Sequence, residues 1–264
     1  MPTYEFLDVR TTDGIATVTI DRPSRLNTLD PSAHAEMERV WPDLQDRDDV
    51  RAVVLTGAGD VFSAGGDVKA MLEFATARPG EGSGISIARA RRLVSGILDF
   101  DKPLIAAVEG RAFGLGATLA LLCDLVVAAR GSRFNDQHVD LGLTPGDGGI
   151  AIWTVLLGPH RARDLLLRGR EITADELALA GVVTELCEPG DAAVVARSVA
   201  SELLGKPRLA VRGTKVSVNA WVRAQFAGIF ETSLAWEVAT LRSADFAEGV
   251  AALGAKRRPR FGDR

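Results

Sequence analysis

The residues KPLIAAVEGRAFGLGATLALLCD, Lys102–Asp124, join an apolar run, a glycine-rich turn and a second apolar run. The first run, Pro103–Val108, is short and partly β-branched, which predicts a strand buried on both faces. The second, Gly114–Cys123, is apolar on every side and predicts a buried helix. In its first turn the N–H of Leu115 would have no helical partner, so it could bind a ligand. Alternatively, the glycines only let this helix pack closely.

A second glycine segment, FSAGGDVK at Phe62–Lys69, predicts a strand-to-helix turn. Glycines let backbone N–H groups approach a ligand oxygen without a Cβ in the way. The following helix N-terminus adds partial positive charge, which suits an oxygen that becomes negative during a reaction. The alternative is a tight turn without a ligand.

Strands and helices alternate on either side of these segments. Thr12-Asp13-Gly14 indicates a hairpin, Asp30-Pro31 a helix start, and Thr173–Glu176 a capping box. From Asp191 onward the patterns are helical only. This order predicts an α/β core with a helical C-terminal region. The predicted strands are Tyr4–Arg10, Ile15–Asp21, Arg51–Thr56, Leu125–Ala129 and Val182–Cys187, and the further helices include Asp67–Ala75, Ile87–Phe100, Gly149–Leu157 and His160–Arg168; Arg78–Ser86 is predicted to be a surface loop.

Composition excludes several classes of protein. The net charge of −4 over 264 residues leaves no excess of Lys and Arg for nucleic acid. Cys123 and Cys187 form no metal-ligand spacing, so we expect no metal, no redox cofactor and no disulfide framework. No basic start followed by an apolar run marks a signal peptide, and no apolar run is long enough to cross a membrane. We therefore expect a cytoplasmic protein.

The ordered motifs resemble the crotonase, or enoyl-CoA hydratase/isomerase, superfamily over almost the whole chain. The matching segments are DRPSRLNTL (Asp21–Leu29), FSAGGDVKAM (Phe62–Met71), Lys102–Asp124, GLTPGDGG (Gly142–Gly149), ITADELALAGVVTEL (Ile172–Leu186) and SADFAEGVAALGAKRRPRF (Ser243–Phe261).

The resemblance implies an α/β fold, a spiral of β-β-α turns over residues 1–205. It also implies a helical oligomerisation region over 206–264 that forms a homotrimer or a dimer of trimers. The N–H groups of Ala64 and Leu115 would form an oxyanion hole, although the family usually has glycine at the Leu115 position. Coenzyme A would enter as part of the substrate, with no separate cofactor. Its implied contacts are Arg25, Leu26, Ala64, Gly65, Gly66, Asp67, Val68 and Lys69; Lys256-Arg257-Arg258 would meet phosphates or form a solvated helix face.

The sequence departs from the hydratase pattern at both catalytic glutamates, which are replaced by Thr118 and His138. Hydration needs one group to activate water and another to deliver a proton, so this departure argues against ordinary hydratase chemistry. His138 and Asp147 lie in one active-site stretch and resemble the dyad of the superfamily's β-diketone hydrolases. There, His138 would activate water and Asp147 would orient it.

Simpler interpretations of these residues stay open. His138 could be structural, and Asp147 could only cap the next helix. Asp136 and Asp140 could compete as the partner of His138, although Asp140 would face away in an extended stretch. His34 and His160 match no motif and are interpreted as surface or packing residues, and Asp124 as structural.

Three functions follow from these patterns. The first is an enzyme that acts on an acyl-CoA thioester through an enolate held by two backbone N–H groups. The second is a hydrolase that cleaves a C–C bond of a β-diketone using His138 and Asp147. The third is a catalytically silent oligomer that binds acyl-CoA.

Overall fold

A computed structural model of the protein describes residues 3–76 and 87–262. The predicted loop at Arg78–Ser86 lies outside these ranges. The strands are β1 (Leu7–Thr12), β2 (Ile15–Ile20), β3 (Ala52–Gly57), β4 (Leu104–Val108), β5 (Arg111–Phe113), β6 (Leu125–Ala129), β7 (Arg133–Asn135), β8 (Ile172–Thr173) and β9 (Glu185–Cys187). The helices are α1 (Pro31–Gln45), α2 (Val68–Thr76), α3 (Ile87–Asp99), α4 (Leu115–Leu122), α5 (Gly149–Arg168), α6 (Ala174–Leu179), α7 (Ala192–Leu204), α8 (Arg208–Leu241) and α9 (Ala244–Gly254).

The main sheet has six strands in the order β1-β2-β3-β4-β6-β9. The hairpin β1-β2 is antiparallel and all later neighbours are parallel. Parallel strands need both faces covered, and β4 is buried along its whole length. One face packs into the main core, and α7 covers the other with Ala192, Ala196 and Ala200, spaced one turn apart. The predicted α/β core is therefore confirmed.

A second, three-stranded sheet has the order β5-β7-β8. Its strands are two or three residues long, too short for a period of two to appear in the sequence, and they were not predicted. β5 lies inside the glycine-rich turn of Lys102–Asp124, so this small sheet fixes the position of the turn that precedes α4.

Helices alone follow Asp191 in the described part of the chain, as predicted. α8 is 34 residues long and packs against α3 and α5, and α9 packs against α2. Lys215 on α8 forms an ion pair with Asp124 at 2.8 Å, and the N–H of Leu104 donates to Asp124 at 2.7 Å. These contacts give Asp124 the structural role expected for it. The division at residue 206 stays a prediction.

Most element boundaries match the sequence within a few residues. The two helices predicted around Gly158 form one element, α5, but Gly158 has non-helical angles (φ 72°, ψ 161°) and precedes Pro159, so a real kink separates them. Thr173 and Glu176 form the predicted capping box at α6. Among the described residues, no helix is both long and apolar enough to cross a membrane.

Candidate active site

The two glycine segments meet side by side. Ser63 and Ala112 form a parallel bridge, in which the N–H of Ser63 donates to Arg111 O at 3.0 Å and that of Phe113 to Ser63 O at 2.9 Å. A Cβ added at Gly116 would lie 2.6 Å from Ser63 O, closer than atoms can pack. Glycine at 116 is therefore what allows α4 to approach the loop.

Gly65 places this loop against the first turn of α4. Its φ of +88° is one that glycine adopts without strain. A Cβ at Gly65 would lie 2.6 Å from Phe113 O and 3.4 Å from the nitrogen of Leu115. The predicted convergence of the two segments is thus present in the fold.

The N–H of Ala64 is not available to a ligand, because it donates to Leu26 O at 2.9 Å. This corrects the expectation that Ala64 supplies an oxyanion donor. Leu29 and Gly66 form a parallel β-bridge. Its two hydrogen bonds join the N–H of Leu29 to Gly65 O and the N–H of Asp67 to Leu29 O, so the N–H of Gly66 takes no part in it. Across residues 3–76 and 87–262, neither the Gly66 nor the Leu115 N–H has an acceptor. We call these two groups the amide pair.

His138 begins a short 3-10 helix and is buried, and its Nδ1 pairs with Asp136 Oδ1. The partner is thus Asp136, the competing candidate, and not Asp147 as in the predicted dyad. His138 and Asp136 are two residues apart, so the local backbone brings their side chains together. A Cβ added at Gly149 would lie 2.3 Å from Asp136 Oδ2, so the glycine leaves room for this carboxylate. Asp140 lies next to Gly169 at the end of α5 and is not the partner of His138, although His138–Leu141 is a 3-10 helix and not the extended stretch on which that expectation was based.

The Asp136 carboxylate controls the charge of His138. Burial lowers the pKa of the imidazole, but the negative charge and hydrogen bond of Asp136, with Asp147 and Glu237, outweigh it and raise the pKa to about 10. His138 therefore holds two ring protons at neutral pH. In that state it can deliver a proton rather than accept one.

Asp147 and Glu237 complete a group that we call the acid cluster: Asp136, His138, Asp147 and Glu237. Burial raises the pKa of Asp147, and the positive charge of His138 opposes the rise. Asp147 Oδ1 is buried without a hydrogen-bond partner in the described part of the chain. The N-cap residue of α5 by backbone position is Gly148, but a hydrogen bond from the N–H of Gly149, the first residue of α5, also opposes the rise in the pKa of Asp147, so the capping interpretation of Asp147 stays open.

Glu237 reaches the cluster from α8. Glu237 is 8% exposed. A Cβ added at Gly146 would lie 2.5 Å from the Cβ of Glu237, so the two residues are in close contact. Burial and the charge of Asp147 raise the pKa of Glu237 from 4.5 to about 8. Glu237 therefore keeps, at neutral pH, a proton that an ordinary glutamate would have lost.

Thr118 is fully buried, with its hydroxyl 3.4 Å from Gly114 O one turn earlier. It can neither gain nor lose a proton in the physiological range. A Cβ added at Gly148 would lie 3.2 Å from Cγ2 of Thr118, so Thr118 packs against the loop residue that follows Asp147.

Comparisons of the sequence and the fold with known proteins indicate one family. A family model described as enoyl-CoA hydratase/isomerase matches residues 10–264. The chain is 34% identical to the short-chain-enoyl-CoA hydratase of Clostridium acetobutylicum, over 84% of this chain and 83% of that one. It is 33% identical to the 1,2-epoxyphenylacetyl-CoA isomerase of Escherichia coli, over 97% and 98%. The crystal structure of an enoyl-CoA hydratase/isomerase from Mycobacterium paratuberculosis superposes with a TM-score of 0.88 at 31% identity, covering 95% of this chain and 98% of that one.

The chain belongs to the enoyl-CoA hydratase/isomerase family. The predicted crotonase superfamily, its α/β fold and an enzyme of this family are thereby confirmed.

The residues that family resemblance assigns to coenzyme A lie around the loop of the amide pair. Arg25 is half exposed and lies 3.6 Å from the carboxylate of Asp67. Leu26 is 48% exposed, in a left-handed conformation. Lys69 is well exposed on the first turn of α2, 3.9 Å from Glu73. Val68 is partly buried at the start of α2. Lys256-Arg257-Arg258 is exposed, and Arg257 pairs with Glu248.

Sequence reasoning missed one residue of the acid cluster, Glu237. Glu237 is ninety positions from Asp147 and carries no motif. Its one signal is that it falls on the buried stripe of α8 with Phe226, Phe230 and Leu241. His34 is mostly buried and pairs with Glu38 at 3.0 Å, which fits the packing role predicted for it.

Proposed function

We propose that this enzyme acts on an acyl-CoA thioester by forming an enolate whose oxygen is bound by the N–H groups of Gly66 and Leu115. The observation that carries this proposal is the amide pair, two unpaired backbone donors on adjacent segments. Donors aimed at a developing negative charge stabilise the transition state more than the ground state. Losing one such donor typically costs about 3 kcal/mol.

The acid cluster would move the protons. Asp147 would remove a proton from the carbon next to the thioester, while the C–H electrons move onto the carbonyl oxygen. A carboxylate with a raised pKa is a stronger base than an ordinary one, as long as it is ionised. His138 would deliver a proton to the second position, since the charge of Asp136 keeps its imidazole protonated. These roles replace the two missing glutamates, and they fit isomerisation or elimination of a substituent.

A second candidate is hydrolysis of a C–C bond in a β-diketone. It is favoured by the buried pair of His138 and Asp136, since the family resemblance implies a glutamate at position 138 in the hydratases. His138, once neutral, would take a proton from water as the water adds to one ketone. The C–C bond would then break, and its electrons would form an enolate at the second ketone, with its oxygen on the amide pair.

The assembly and the location of the enzyme stay proposals. We expect a homotrimer or a dimer of trimers in the cytoplasm, formed through residues 206–264. Support comes from exposed large apolar side chains in that region: Trp221, Trp236, Leu253 and Phe261. A catalytically silent acyl-CoA-binding oligomer is the outcome if ligands bind without turnover.

The pH dependence of the rate separates the two reactions. The protein is assayed on a panel of enoyl-CoA thioesters and cyclic β-diketones from pH 6 to 11. If His138 acts as an acid on thioesters, the rate falls as pH rises past about 10. If it acts as a base on diketones, the rate rises toward that pH.

A matched pair of variants tests the role of His138. His138→Gln is expected to lower kcat by about 10²–10³-fold on the best substrate. His160→Gln, an exposed histidine on α5, is expected to leave kcat unchanged. Full turnover by His138→Gln would remove both mechanisms, and binding of CoA thioesters without turnover by the wild-type protein would leave the silent oligomer.

A further inference from the structure

An apolar side chain from α2 lies against the Gly66 half of the amide pair. A Cβ added at Gly66 would overlap Cε of Met71 and would lie 3.7 Å from its Sδ. The terminal methyl group of Met71 is therefore within about 4 Å of the Cα of Gly66. An oxygen bound by the N–H of Gly66 would lie within about 8 Å of this methyl group, so a substituent a few bonds from that oxygen would reach the thioether.

Met71 also belongs to an apolar cluster between α2 and α9, which is distinct from the main core and which we call the α2–α9 cluster. Its buried members among the described residues are Leu143, Leu241, Phe246 and Val250, and Val68, Met71, Phe74, Ala75 and Leu141 pack against them. The Met71 side chain thus contacts the loop of the amide pair and this cluster as well.

The α2–α9 cluster also borders His138. Leu141 ends the 3-10 helix that begins with His138, and the N–H of Leu143 donates to His138 O at 2.9 Å. A Cβ added at Gly249 would lie 2.8 Å from the Cα of Leu141, so α9 packs tightly on this short helix. The cluster therefore lies beside both the amide that would bind the substrate oxygen and the imidazole that would move a proton.

Met71 differs from the other members of the cluster in the shape of its side chain. The others are alanine, aromatic or branched residues, whose rotamers are better defined. Met71 is unbranched, flexible and half-buried, so its thioether can adopt several positions next to Gly66. An acyl chain that extends from the amide pair toward the cluster would meet this thioether first.

We propose that Met71 is a specificity-determining residue, which limits the length of the apolar acyl chain that is bound at the amide pair. The inference rests on the proposed function and adds to it a substrate class, a thioester whose acyl group is a hydrocarbon chain. Such a chain leaves water when it packs on the α2–α9 cluster, and each buried methylene group strengthens binding by about 4-fold.

Binding of saturated acyl-CoA thioesters, from butyryl-CoA to decanoyl-CoA, tests the proposal without turnover. Isothermal titration calorimetry measures their Kd for the wild-type protein and for Met71→Ala. This substitution removes Cγ, Sδ and Cε beside Gly66, which leaves room for about two more methylene groups. We therefore expect the Kd of decanoyl-CoA to fall by about 10-fold relative to that of butyryl-CoA.

Met71→Leu is a second variant that nearly conserves volume and should fold even if Met71→Ala does not. Leucine lacks the terminal methyl group that contacts Gly66, so the same ratio should change in the same direction, by about 3-fold. Leu72→Ala is the matched control, because Leu72 is the next residue of α2 and is 36% exposed, and its ratio should equal that of the wild type.

Two results would overturn the role of Met71: an unchanged ratio in both of its variants, or an equal loss of affinity at every chain length. If the wild-type protein bound no thioester of any length, the acyl-CoA function itself would be refuted, and this inference with it.

Discussion

The amide pair and the acid cluster border each other at Gly114, where an added Cβ would lie 3.5 Å from Cε1 of His138. They are built in different ways. The amide pair consists of backbone, held by neighbouring strand ends and by glycines that leave no room for a side chain. The acid cluster consists of side chains from a 3-10 helix, a loop and the distant helix α8.

The difference separates what the fold provides from what this enzyme adds. Backbone donors survive most substitutions, as Leu115 shows by replacing glycine while its N–H stays free of any acceptor in the described chain. Side-chain acids change with single substitutions, and the family resemblance implies that Thr118 and His138 replace both hydratase glutamates. On the proposed function, the fold would supply the enolate site and the acid cluster would decide which reaction follows.

The largest effect is expected from Gly116→Ala, which breaks the amide pair alone. The new Cβ would meet Ser63 O at 2.6 Å and push α4 off the loop. Loss of aligned donors should lower kcat/KM by about 10³-fold on any accepted substrate. Steady-state kinetics measures this, and a thermal melt is expected to show a loss of about 1–3 kcal/mol from overpacking.

Gly213→Ala on α8 is the matched control, because no atom lies within 4 Å of its added Cβ. It should keep full activity and gain about 0.5–1 kcal/mol of stability. A folded Gly116→Ala enzyme with wild-type kinetics would show that the amide pair has no catalytic role.

A smaller effect is expected from Thr118→Glu, which adds a family glutamate to the acid cluster. Thr118 is fully buried and adjoins Gly148, so a fourth carboxyl group would enter a site that already contains three. Because the imidazolium of His138 is already paired with Asp136, the added group should cost about 3 kcal/mol in the free energy of unfolding.

Thr118→Val is the control for shape, and it should cost about 1 kcal/mol or less because the lost hydroxyl bonds only its own helix. Denaturant unfolding measures both variants. If Thr118→Glu were as stable as the wild type and hydrated crotonyl-CoA, the acid cluster would not be what directs the chemistry.

The sequence predicted the amide pair far better than the acid cluster, for a physical reason. The conformation of a glycine turn depends on a few adjacent residues, so the sequence alone predicts it. Both glycine segments of the amide pair were therefore predicted. Only the choice of Ala64 failed, because its N–H is bonded to Leu26, a contact between segments thirty-eight positions apart. Gly66, two residues later, was in the predicted binding segment but not in this role.

The acid cluster depends on tertiary packing that no local pattern contains. His138 and Asp147 were found from their motif, but the choice of Asp136 as the partner depends on the 3-10 turn at His138. Glu237 enters because α8 packs against Gly146. The short strands β5, β7 and β8 were missed for a related reason, since only their mutual pairing defines them.

A pH-dependent effect is expected from Glu237→Gln. The pKa of Glu237 is raised in the folded protein, so its stabilising contribution is full below about 4.5 and is lost as pH rises through about 8. Glutamine does not titrate, so the free energy of unfolding of Glu237→Gln should rise relative to that of the wild type as pH increases from 5 to 9. The full rise is worth at most about 5 kcal/mol, and we expect about 2 kcal/mol because His138 and Asp147 adjust their protonation as well.

Denaturant unfolding at pH 5, 7 and 9 measures the Glu237→Gln difference. Glu231→Gln, an exposed position on the same helix, should show no such gain with pH. A difference between Glu237→Gln and wild type that stays flat with pH would mean that Glu237 is ionised throughout.

The smallest effect is expected from Lys69→Ala, which tests whether the substrate brings phosphates to the amide pair. Lys69 is exposed, and its nearest acid, Glu73, is 3.9 Å away, so its charge is free to meet a coenzyme A phosphate. Exposed charge pairs are worth about 1 kcal/mol or less, so KM for a CoA thioester should rise about 3–5-fold at low salt with kcat unchanged. The N-acetylcysteamine thioester of the same acyl group has no phosphates, and its KM should not change.

If Lys69→Ala raised the KM of both thioesters equally, the side chain would act on the fold of α2 rather than on phosphate. If it changed neither, coenzyme A would have to be bound elsewhere, and a small β-diketone that needs no phosphate contact would become the better substrate for the same pair of amides.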